Sequence, residues 1–125
     1  DTWGHHVGDH VLAHLARLLR DHVRAVDIVA RYGGEEFVLI LPDHNHDQGV
    51  RVAERLRRLV AETPMVFAET VQLDITVSMG VAVFPADGTE IDDVLIAADS
   101  AMYRAKHGGR NRVCSTHDDA ASAAA

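Results

Sequence analysis

The chain is 125 residues long, enough for one core, and its 47% apolar and 25% charged residues are those of an ordinary globular domain. A formal net charge of −7 argues against DNA, RNA or a membrane surface as a partner, which favour a basic excess, but permits a single nucleotide held by local cations and a metal. One cysteine, Cys114, excludes an internal disulfide and fits a reducing cytoplasm; no apolar run reaches the roughly 20 residues of a membrane span, and no signal peptide is visible.

Residues 1–9 are turn-rich, and Asp9 stands where it can cap a helix over about 10–23 whose apolar stripe is Val11, Leu12, Leu15, Leu19 and Val23. Residues 24–27 join it to a hairpin. Ile28 and Val29 lead into Gly33-Gly34, and Phe37 to Leu41 lead out; two glycines between such runs predict a two-residue type I′ turn, which needs positive φ at both positions. Alternation puts Glu35, Phe37, Leu39 and Leu41 on one face and Glu36, Val38 and Ile40 on the other, so the strand reads as buried on both sides. Pro42 ends it, and 43–47 is a polar loop. A second helix is expected over about 48–62, with Val52, Leu56, Leu59 and Val60 inward, ended by Thr63-Pro64. Residues 71–84 are strand-like, and Gly80 within them predicts a bulge or a close backbone approach. A third helix over 91–107 is closed by Gly108-Gly109, Val113-Cys114 supplies a short last strand, and the alanine-rich stretch 115–125 reads as a disordered or vector-derived tail. The alternation of helices and hairpin strands predicts an α/β sandwich with a mixed, mostly antiparallel central sheet and flanking helices.

The stretch that carries chemistry is Gly33-Gly34-Glu35-Glu36. A turn without side chains lets a ligand approach the backbone, beside two carboxylates able to hold a hard cation. A solvated hairpin tip with two surface glutamates accounts for the same four residues, and they alone leave both readings open. Nine histidines are scattered, and although His10 and His14 stand at helical i, i+4 spacing, no His-Glu-x-x-His pattern points to zinc.

Four segments, in order over residues 1–114, resemble the GGDEF domain of diguanylate cyclases: Gly4-His5-x-x-Gly8-Asp9, Arg31-Tyr32-Gly33-Gly34-Glu35-Glu36-Phe37, Val77-Ser78-Met79-Gly80-Val81, and Ala98 to Lys106 followed by Gly109-Arg110-Asn111. The resemblance implies a nucleotide-cyclase, polymerase-palm-like fold that joins two GTP into cyclic di-GMP and releases two pyrophosphates. It assigns metal ligation and catalysis to Glu35 and Glu36, with Mg²⁺ or Mn²⁺ as cofactor, and close approach of the triphosphate to Gly33 and Gly34. Asp9 would accept from the guanine N1–H and 2-amino group, selecting GTP over ATP, and Lys106 and Arg110 would grip the terminal phosphates. A pure helix cap for Asp9, and cations on a helix C-terminus for Lys106 and Arg110, remain alternatives.

Arg24-x-x-Asp27, five residues before the signature, matches the family's inhibitory site for cyclic di-GMP, with Arg55 as a secondary contact; a surface ion pair is the plain alternative for Arg24 and Asp27. The family also implies catalysis by a homodimer, since each half-site holds one GTP, and an upstream sensory domain. Its first strand, Asp-x-Asp-x-Phe-Lys, and a following Asn are not among these residues, so the sequence reads as N-terminally truncated and poor turnover by residues 1–125 alone is expected. The alternative function is a module that binds cyclic di-GMP or GTP without turnover; a dimerisation domain with incidental glutamates is the third.

Overall fold

A computed structural model of the chain describes residues 2–33, 36–67 and 71–116, with only the backbone given for 2–6. The elements in chain order are α1 (Thr2–Asp21), β1 (Ile28–Arg31), β2 (Phe37–Ile40), α2 (His46–Ala61), β3 (Met65–Phe67), β4 (Val71–Leu73), β5 (Met79–Val81), α3 (Ile91–His107) and β6 (Val113–Ser115). Asp1–Asp43 with Val60–Ile75 form one compact unit, and His44–Leu59 with Thr76–Ala125 a second. Among the described residues the strands pair two by two: β1 with β2 and β3 with β4 antiparallel, β5 with β6 parallel. This is the mixed, mostly antiparallel α/β arrangement the alternation predicts.

In the first unit, α1 starts at Thr2, eight residues before the expected His10, so Asp9 is a helix-interior residue and not a cap. Gly4 and Gly8 suggest a turn, but each glycine costs a helix only about 1 kcal/mol, and both stand inside α1. The helix ends at Asp21, leaving Val23 and Arg24 beyond it.

The hairpin register also differs from expectation. Arg31 lies opposite Phe37 and Val29 opposite Leu39, so the pairing is symmetric about position 34 and not about the Gly33–Gly34 bond. The Glu36 carbonyl accepts from Tyr32 N at 2.8 Å and from Gly33 N at 3.4 Å, and the expected two-residue turn itself falls partly on Gly34 and Glu35, outside the described residues. Nor are both faces buried. Val29 faces α1 at 9% exposure, whereas Ile28 and Ile40, paired on the opposite face, are 51% and 43% exposed. An apolar run on both faces does not by itself say which face is covered.

α2 starts at His46 because Asn45 and Gln48 form a reciprocal capping box: Gln48 N donates to Asn45 Oδ1 and Asn45 N to Gln48 Oε1, both at 2.9 Å. Its buried stripe is Gly49, Ala53, Leu56 and Val60, with Val52 and Leu59 at its half-buried flanks. The strand-like stretch 71–84 resolves into β4 and β5, and β3 escapes sequence reading because it is three residues long.

The second unit is built on α3, whose bounds match expectation. Ala101 and Ala105 are fully buried beneath β5 and β6. Gly80 of β5 lies directly on the helix: a methyl group there would collide with Ala98 O and Met102 N. The expected close backbone approach is therefore the role of this glycine. Because both obstacles are backbone, Gly80→Ala is expected to destabilise the fold by about 3 kcal/mol, the upper end for overpacking, measured as a shift in urea-unfolding midpoint at constant slope. β6 runs one residue into the stretch read as tail. Ser115 is 2% exposed, its hydroxyl 2.9 Å from His46 Nε2 and its carbonyl accepting from Arg104 Nη2 at 2.8 Å.

Candidate functional site

The first unit holds a cavity of about 320 Å³ between α1 and the hairpin, at the small end of ligand sites. Asp9, Leu12, Ala13, Ala16 and Arg20 line it from the helix, and Val29, Arg31 and Phe37 from the strands. The walls are thus mostly apolar, with one carboxylate and two guanidiniums. Two arginines tie the helix and the turn to the hairpin backbone: Arg20 Nη2 donates to Val29 O at 3.0 Å, and Arg31 Nε to Gly33 O at 3.3 Å. An apolar slot with a carboxylate at hand suits a flat heterocycle with N–H donors on one edge.

The Gly-Gly-Glu-Glu turn continues from the same hairpin. Gly34 and Glu35 lie outside the described residues. Glu36 is half-buried, and among the described residues a Cβ added at Gly33 would meet nothing nearer than Glu36 Cβ at 4.0 Å. Open space over backbone, bordered by a carboxylate, fits an oxygen-ligated hard cation carrying phosphate. Among the described residues no three His, Cys, Asp or Glu converge on a metal position. His10, one of the helical histidine pair, packs its ring edge-on against Phe67 with centroids 4.9 Å apart.

Arg24 and Asp27 form a closed clamp at the base of the hairpin. Arg24 N donates to Asp27 Oδ2 at 2.7 Å, Arg24 Nη2 to Oδ1 at 2.8 Å, and Asp27 N returns a bond to Arg24 O at 3.0 Å. Arg24 Nη2 also donates to Pro42 O at 2.6 Å, tying the strand's entry to its exit. The Asp27 side chain is 4% exposed against 48% for Arg24, so this pair is sunk on its acidic side only. Hydrogen bonding to Asp27 raises the Arg24 guanidinium above its ordinary value; its charge is lost only above that already high value, so the clamp does not titrate on the alkaline side at working pH.

The second unit holds the other predicted residues. Lys106, half-buried, is in the last turn of α3, and Arg110, exposed, follows it in the loop. Arg110 N donates to Ala105 O at 3.0 Å, the longer bond of a Schellman end. Arg55 is exposed on α2.

Compared with known families, residues 1–112 match the one described as diguanylate cyclase, GGDEF domain. The chain belongs to the GGDEF family. Among relatives, the diguanylate cyclase DosC of Escherichia coli is 38% identical over 113 residues, covering 90% of this chain and 24% of DosC. The GGDEF domain of PA1120 from Pseudomonas aeruginosa has a TM-score of 0.84 at 30% identity, over 93% of this chain and 72% of that one. A GGDEF domain of DgcB from Caulobacter crescentus, solved in complex with cyclic di-GMP, has a TM-score of 0.77 at 32% identity, over 94% and 70%. The GGDEF chain spans about a quarter to a third of the curated relatives' length (32%, 25% and 24% for the first three distinct proteins). No helix among its described residues is long and apolar enough to cross a membrane.

Sequence reading of this GGDEF domain overlooked the cavity's two arginines, Arg20 and Arg31, and an α2 network. Arg57 Nε donates to both oxygens of Glu54, at 3.1 and 3.0 Å, while its Nη1 donates to Asn111 Oδ1 at 2.9 Å. The hydrogen bond from Arg57 holds the Glu54 carboxyl below its ordinary value. A lowered carboxyl stabilises above the ordinary glutamate range and ceases to do so as pH falls through the lowered value, so this network survives mild acid. The i, i+3 spacing of Glu54 and Arg57 was visible in sequence; the partner 54 residues away in chain order was not.

Proposed function

We propose that this GGDEF domain binds GTP and condenses two molecules into cyclic di-GMP, with release of two pyrophosphates. The observation that carries the reading is Asp9: it lines an apolar cavity whose opposite wall is the strand pair leading into the Gly-Gly-Glu-Glu turn. Guanine in that cavity would donate N1–H and its 2-amino group to the Asp9 carboxylate, and adenine has no donor at N1 to match. Glu35 and Glu36 would hold Mg²⁺ or Mn²⁺, which supplies charge neutralisation to the phosphates when bound. Gly33 gives the triphosphate access to backbone, while Lys106 and Arg110 bind its terminal phosphates as point charge and fork. One domain holds one GTP, so bond formation requires two copies facing each other. Arg24, with Asp27 behind it, and Arg55 serve as the product-binding inhibitory contacts.

Asp9→Ala tests the reading. It is expected to lower GTP affinity roughly ten- to a hundredfold, the scale of a charged hydrogen bond, and to leave ATP binding unchanged, so that calorimetry finds the preference for GTP erased. Retained discrimination overturns the guanine assignment. Turnover is tested by incubating this domain, joined to the family's Asp-x-Asp-x-Phe-Lys strand, with GTP and Mg²⁺ and detecting cyclic di-GMP by chromatography; GTP bound but not consumed by that chain indicates the binding-module alternative.

A further inference from the structure

The loop after α3 has an unusual backbone. Gly109, Arg110 and Asn111 all have positive φ, at 123°, 62° and 45°. Glycine takes this region freely and asparagine tolerates it, but a long side chain such as arginine is strained there. Something must hold Arg110 in place. Its N–H is bonded to Ala105 O, and its carbonyl accepts from Arg112 Nε at 3.1 Å. The residue after it is held from another element altogether: Arg57 of α2 reaches Asn111 Oδ1 at 2.9 Å and Asn111 O at 3.5 Å.

We infer that Arg57 is a positioning residue for phosphate binding: it anchors Asn111 and so keeps the strained backbone that presents Arg110. The inference rests on the reading of Arg110 as a phosphate contact. Arg57 suits the task because its guanidinium is used on two edges. One edge (Nε with Nη2) is set against the Glu54 carboxylate, which orients the plane, and Nη1 is left to point at the loop. Its side chain is 18% exposed, so it is packed and not a waving surface cation. Arg110 by contrast is exposed, so the direction of its side chain depends on the backbone from which it springs. Without the anchor the loop relaxes toward negative φ, and the fraction of molecules with Arg110 in the binding arrangement falls, lowering apparent affinity in proportion.

The test compares GTP and GMP binding by calorimetry with Mg²⁺, because only GTP has the terminal phosphates. Arg57→Gln is expected to weaken GTP about three- to tenfold, as for a competent fraction reduced by that factor, with GMP unchanged. In an Arg110→Ala background the same change is expected to add nothing. Equal losses for GTP and GMP, full additivity with Arg110→Ala, or undiminished GTP affinity overturn the inference. Asn111→Ala, which removes the acceptor from an exposed loop, substitutes for Arg57→Gln if that variant does not fold. Hydrogen exchange at the Arg110 amide separates anchoring of the loop from contact with phosphate. Faster exchange in Arg57→Gln, at an unchanged unfolding midpoint, is expected if Arg57 holds the loop, and unaltered protection refutes the anchor. An Arg110→Ala variant that binds GTP as wild type does overturns the phosphate reading, whatever the amide shows.

Discussion

Glu35→Ala and Glu36→Ala are each expected to abolish most Mg²⁺-dependent binding of GTP. Truncating one partner of a close charge pair costs about 2–5 kcal/mol, which is roughly thirtyfold to several-thousandfold in affinity. The metal is what makes the glutamates favourable. In its absence they are like charges facing a triphosphate, so with a chelator present the alanine variants are expected to bind GTP as well as wild type or better. Calorimetry with Mg²⁺ and with EDTA reads both arms. The half-buried setting of Glu36 beside the backbone at Gly33, where a carboxylate and a phosphate would share a cation, supports this expectation. A loss of equal size in both conditions would show that the glutamates act without metal, and no loss in either would return the turn to a solvated hairpin tip.

The second large effect concerns Arg24. Arg24→Ala is expected to weaken cyclic di-GMP roughly ten- to a hundredfold, the scale of lost charged hydrogen bonds, while GTP affinity holds. The structure adds a condition to this experiment. Arg24 also closes onto the buried Asp27 and onto Pro42 O, so its removal strips donors from a buried carboxylate. Some loss of stability is therefore expected alongside the loss of binding, and unfolding must be measured on the same samples. Asp27→Ala separates the two effects. It removes the bonds from Arg24 N and Nη2 to the carboxylate, costs about 1–3 kcal/mol of stability, and leaves the Arg24 guanidinium in place, bonded to Pro42 O. If Arg24→Ala binds cyclic di-GMP as tightly as wild type, the clamp serves only to hold the ends of the hairpin together. Competition between product and GTP at a single site would move product binding to the cavity.

The bounds of α3 were legible because its apolar period and the Gly108-Gly109 stop are both local. The role of Gly80 was legible too, since a glycine inside a strand pattern has few explanations and close backbone contact is one of them. The same holds for the pairing of Arg24 with Asp27, three residues apart. Each of these signals lies in one short stretch of chain. The start of α1 was not legible, because two glycines argue locally for a turn although each costs a helix only about 1 kcal/mol. The hairpin's register escaped in the same way: Gly33-Gly34 permits a two-residue turn, but the pairing of Val29 with Leu39 centres the strand pair on position 34. Burial of Asp27, the meeting of Asp9 with Arg31 and Phe37 around one cavity, and the reach of Arg57 to Asn111 all join residues from different elements. Periodicity reports which side of an element is apolar. What that side meets depends on packing between segments distant in the chain, and there the tertiary structure alone decided.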